Sequence, residues 1–102
     1  MKVIWLAFAK HILSEIYEYH IDVAGKRIAR NLIKNIVKET LTLKSQPQIG
    51  QVEIGLEDRP QQFRYLIYKS YKIVYWINSE LNQIEITDVF DARQNPQKIS
   101  RS

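Results

Sequence analysis

The chain has 102 residues, enough for one domain, and its 45% apolar and 25% charged residues are an ordinary globular mix. It has no cysteine, which excludes disulfides and thiolate metal sites, and no apolar run approaches the ~20 residues of a membrane span. Residues 1–51 hold eight Lys/Arg against four Asp/Glu and residues 52–102 hold seven of each, so the whole net charge of +4 sits in the first half. That placement favours an anionic partner for the first half, although a solvated helix face gives the same count. The expectation is a cytoplasmic domain without cofactor, metal or membrane contact.

Lys2–Leu6, with Val3, Ile4 and Trp5, reads as an opening strand. From Ala7 the period changes: Ile12, Ile16, Tyr19 and Val23 recur at helical steps, and Gly25 supplies a C-cap or tight turn. A second helix starts at once, with Ile28, Leu32, Ile33, Ile36, Val37 and Leu41 as its stripe, fading before Pro47. So short a link predicts an αα-hairpin. Lys26, Arg30, Lys34 and Lys38 are four apart and form a positive ridge along helix two. Beyond the turn at Pro47 and Gly50, residues 52–56 are a further strand candidate. Residues 62–69 and 71–78 read as a hairpin, and 84–91 as a closing strand. The order is β-α-α-β-β-β: an α+β, two-layer domain with the helical hairpin covering an antiparallel sheet. Residues 1–96 form the domain and 97–102 a flexible tail.

Four stretches resemble the RelE/ParE superfamily of bacterial type II toxin–antitoxin toxins, closer to its ParE-like branch. These are Glu15-Ile-Tyr-Glu-Tyr19 in helix one, Pro47-x-x-Gly50, Phe63-Arg64 followed by Tyr71-Lys-Ile-Val-Tyr75, and Val89-Phe-Asp-Ala-Arg-Gln-Asn-Pro96. The resemblance implies a toxin held inactive by a cognate antitoxin that lays an extended or helical segment over it. Its target is DNA gyrase in the ParE branch, or mRNA on the ribosome in the RelE branch, whose members are endoribonucleases. A toxin-fold binding protein without toxicity is the remaining alternative, and a second copy of the chain is a further candidate partner.

Cutting RNA by 2′-OH attack needs a base, cations for the phosphorane charge, and an acid for the leaving oxygen. By the resemblance, Lys72 and Arg93 fall where RelE-type enzymes carry catalytic arginines, and Arg64 falls near their strand lysines. Asp91 stands where several members have a histidine, and Ile99 opposite their catalytic tyrosine. An ionised Asp91 accepts a proton but donates poorly at neutral pH. His11 and His20 lie on helix one, which reads as away from these sheet residues. Arg64 and Arg93 also read as surface ion-pair partners of Glu53, Glu85 or Asp88. Tyr65, Tyr68, Tyr71, Tyr75 and Trp76 suit base stacking, a core, or reception of a partner segment. Arg30, Lys34, Lys38, Tyr65 and Tyr71 are the candidate partner-binding residues.

Overall fold

A computed structural model of the chain describes residues 1–56 and 58–93; the expected tail at 97–102 lies outside the described residues. The change of period at Ala7 marks a boundary between strand β1, Lys2–Trp5, and helix α1, Ala7–Ala24. Helix α2, Lys26–Thr40, follows after the single residue Gly25. The Gly25 N–H donates to Ile21 O and its own carbonyl accepts from the Ala29 N–H, so one residue closes the first helix and opens the second. Its φ of 91° is strained for any residue with a Cβ. Gly25→Ala is expected to destabilise by about 1–3 kcal/mol from backbone strain alone, since a Cβ there meets nothing within 4 Å. A lower urea midpoint at unchanged slope checks this.

After a 3-10 turn at Leu41–Lys44 come β2 (Gln51–Val52), β3 (Arg64–Tyr68), β4 (Tyr71–Asn78) and β5 (Gln83–Asp91). The sheet order is β1-β5-β4-β3-β2. The expected two-layer α+β architecture is present, with three corrections. The strand candidate at 52–56 keeps only Val52, in a two-residue edge at Gln51–Val52, because after one further bond from the Glu53 N–H to Phe63 O the chain turns into a 3-10 segment at Ile54–Leu56. The sheet is antiparallel from β2 to β5, but β1 joins β5 in parallel, Val3 opposite Ile84 and Trp5 opposite Ile86. Finally, the helical hairpin is not the only cover.

Strand alternation divides the apolar residues between two faces. Ile73, Tyr75, Ile84, Ile86 and Val89 pack under Ala9, Leu32 and Ile36 of the helices. Val74 and Phe90 face the other way and are capped by Leu56 and Phe63, which belong to the segment between β2 and β3. A bulge makes this division possible. Val74 pairs with Asp88 and Tyr75 with Ile86, which leaves Thr87 unpaired and shifts the parity of β5, so that Val89 and not Asp88 enters the main core.

On the second face Glu85 gathers three donors: Trp76 Nε1 at 3.1 Å, Asn78 Nδ2 at 3.0 Å and Gln83 Nε2 at 2.7 Å. Partial burial opposes ionisation, but these three hydrogen bonds outweigh it and hold the carboxyl below its ordinary value of 4.5. A depressed folded pKa contributes stability that is present above the unfolded value and is lost as pH falls through the folded one. Glu85→Gln is therefore expected to be less stable than the parent at neutral pH, with the gap closing as pH falls below the ordinary carboxyl value of 4.5. Urea unfolding across that range checks the sign.

Candidate functional site

The turn motif and the strand residues that carry the family resemblance meet at one buried point. The Tyr75 hydroxyl donates to Pro47 O at 2.8 Å and accepts from the Gly50 N–H at 3.0 Å. A Cβ on Gly50 would lie 2.5 Å from that hydroxyl and 2.8 Å from Tyr65 O, so only glycine fits. Arg64, the cross-strand partner of Tyr75, donates from one guanidinium nitrogen to Gly50 O at 2.9 Å and Gln48 O at 3.2 Å. Arg64 thus braces a turn, and makes none of the expected ion pairs with Glu53, Glu85 or Asp88 among the described contacts.

Lys72 holds Glu53, one of the three acids offered to Arg64 and Arg93. Its Nζ lies 2.8 Å from Glu53 Oε2 and 4.2 Å from the centroid of the Tyr65 ring, whose hydroxyl donates to Gln51 Oε1. Glu53 is only 5% exposed, so removing its partner strands a buried carboxylate. Lys72→Met is expected to destabilise by about 1–3 kcal/mol, and Lys72→Met with Glu53→Gln by less than that. A double-mutant cycle in urea measures the difference. Because Lys72 and Tyr75 are three apart on β4, Lys72 and Arg64 stand on opposite faces of the sheet.

The third cation, Arg93, forms a two-point contact with Asp91, Nε to Oδ1 at 3.2 Å and Nη2 to Oδ2 at 3.0 Å. Hydrogen bonds from Arg93, chiefly its guanidinium, hold the Asp91 carboxyl below its ordinary value. The three cations offered by the sequence therefore do not converge on one phosphate.

Asp91 and Arg93 instead line a groove of about 750 Å³ between the helical hairpin and the β3–β4 turn, together with Tyr71 and His20. His20 Nε2 and the Tyr71 hydroxyl share a 2.9 Å hydrogen bond, which corrects the expectation for His20, whereas His11 stays away from the sheet, exposed beside Glu15 of its own helix. No spacing rule joins residues 51 apart, so sequence reasoning missed it. Burial, reinforced by the negative charge of Asp91, raises the Tyr71 pKa and keeps the phenol protonated. The outer wall of the groove is apolar and open: Tyr19, Val23 and Ile28, expected in the core stripes, are 62%, 60% and 57% exposed. They stand on the two helix ends that flank Gly25.

Beside the groove, β3 has an unpaired flank. The partners of β2 end at Arg64 and Tyr65, so Leu66–Tyr68 have β4 on one side and no strand on the other among the described residues. Arg30, Lys34 and Lys38 lie elsewhere, exposed on α2, and none of them lines this groove. Candidate partner residues Tyr71 and Arg30 thus belong to separate surfaces.

No metal-holding group of three His, Asp or Glu exists among the described residues, and none of their helices is long and apolar enough to cross a membrane. No curated protein matches the chain. Among solved structures, a chain of the chromosomal ParDE toxin–antitoxin system of P. aeruginosa matches with a TM-score of 0.74 at 18% identity, covering 89% of this chain and 95% of that one. The family model for the ParE toxin of type II toxin–antitoxin systems matches residues 3–96. With the model spanning nearly the whole length, the chain belongs to the ParE toxin family of type II toxin–antitoxin systems.

Proposed function

We propose that this toxin acts by binding its target and not by cutting RNA, with DNA gyrase as the target. The observation that carries the reading is the separate engagement of Arg64, Lys72 and Arg93. Arg64 holds carbonyls, Lys72 a buried glutamate on the opposite sheet face, and Arg93 an aspartate in the groove. A phosphorane needs cations that converge, and none here is both free and aimed at a common point. Purified protein is expected to inhibit gyrase supercoiling and to leave mRNA intact in primer extension. Discrete cuts in coding regions with supercoiling unaffected would reverse the assignment.

The antitoxin partner is proposed to fill the groove and the open flank of β3. A helical segment would bury Tyr19, Val23 and Ile28, and an extended segment would pair with Leu66–Tyr68 by strand addition. One observation favours the ribonuclease alternative: His20 and Tyr71 form a hydrogen-bonded couple in the same groove as Arg93, and both side chains are of the kind that can move a proton. If that couple were catalytic, His20→Ala and Tyr71→Phe would each abolish RNA cleavage by the free toxin.

A further inference from the structure

The two helices also meet along a second groove, which shares no lining residue with the first. Its floor is made by half-buried Leu13, Tyr17 and Ile33, and its rim by exposed Lys10, Arg30 and Lys34. The volume is about 440 Å³, room for a few apolar side chains. None of the rim charges is in an ion pair among the described residues. Like charges at i, i+4 along Lys26, Arg30, Lys34 and Lys38 repel one another, so within the monomer the ridge is a burden without a compensating contact.

We infer that this outer groove of the hairpin is a docking site for an acidic amphipathic helix of a partner protein. The floor and rim together select that class. An apolar floor at helical spacing (Leu13 and Tyr17 from one side, Ile33 from the other) accepts anchor side chains one turn apart. The cationic rim selects carboxylates on the flanks of the same helix and accelerates encounter. Nucleic-acid phosphates would use the rim and leave the floor wet. An anionic bilayer takes up protruding apolar side chains, whereas these form a recess. A second copy docked face to face would set ridge against ridge. The inference does not depend on the groove proposed for the antitoxin or on the identity of the toxin's target.

The test uses the full chain and a fluorescent helical peptide with Leu at i, i+3, i+4 and i+7 and Glu on its flanks. The expected result is saturable binding that weakens as salt rises. Two charge-matched double variants separate a site from a general field. Arg30→Glu with Lys34→Glu alters the rim, while Lys26→Glu with Lys38→Glu alters the same ridge outside the groove. The rim pair is expected to lose at least tenfold in affinity and the outer pair less than threefold. Leu13→Gln should weaken binding without changing the salt dependence. Circular dichroism melts of the rim pair should not fall, because the reversal turns the Lys26–30 and 34–Lys38 repulsions into attractions. Equal losses in the two pairs, no binding of the peptide, or tighter binding of duplex DNA or phosphatidylglycerol vesicles would each overturn the assignment.

Discussion

Gly50→Val is expected to destabilise the toxin by about 3 kcal/mol or more, enough to leave much of a marginally stable domain unfolded. The argument is steric first. Even the Cβ alone would overlap the Tyr75 hydroxyl at 2.5 Å and Tyr65 O at 2.8 Å, and one of these is backbone of β3 that cannot swing aside. The displaced Tyr75 would then lose both hydrogen bonds, leaving Pro47 O and the Gly50 N–H without partners. Tyr75→Phe isolates the second part, since the ring stays and only the hydroxyl goes. It should destabilise by about 1–3 kcal/mol. Chemical denaturation of both variants checks the order, with Gly50→Val the worse. If the two were equal, the hydrogen bonds and not the close approach would account for the glycine.

Replacing Val23 and Ile28 with aspartate is expected to abolish neutralisation by the antitoxin while leaving toxicity intact. Both side chains are well exposed in the free chain, so the substitutions disturb little of the fold. In the complex they would place two charges in an apolar contact, and buried anchors of that kind are each worth about 2 kcal/mol or more when lost. Growth on co-expression with the cognate antitoxin is the readout: the parent toxin should be rescued and the variant should not. A variant rescued as well as the parent would move the antitoxin to another surface. Because the rim of the second groove is untouched by these changes, the two surfaces can be tested independently.

Elements set by local pattern were legible in the sequence. The helical hairpin and its glycine link follow from period and from glycine's conformational range, and β4 has the expected bounds, 71–78. What local pattern does not carry was read less well. The parity shift at Thr87 depends on a partner strand, so periodicity could not say that Asp88 faces away from the main core and Val89 into it. Glu53 was offered to Arg64 and Arg93 because the salt-bridge reading rested on charge sign; the partner is Lys72, fixed by strand register. His20 looked remote from the sheet because helix one precedes the β3–β4 hairpin by some 50 residues, and the packing of α1 on the sheet removes that distance. The family resemblance was sound, yet several of its carrying residues (Pro47, Gly50, Arg64, Tyr75) turned out to join in one structural brace. A motif can mark a fold by what it holds together.

The parallel pairing of β1 with β5 has a consequence for how the toxin is made. Lys2 lies beside Gln83, so β1 cannot pair with β5 until about 80 further residues have been made. The helical hairpin and the β3–β4 and β4–β5 hairpins can form from local contacts, whereas the β1–β5 pairing is a long-range event of the kind that folds slowly. Throughout that interval Val3 and Trp5 of β1 lack the Ile84 and Ile86 side of their core. A cell that translates this chain therefore holds, for a time, a toxin whose helical hairpin is made while its sheet still lacks an edge. An antitoxin segment already present would meet those helices first.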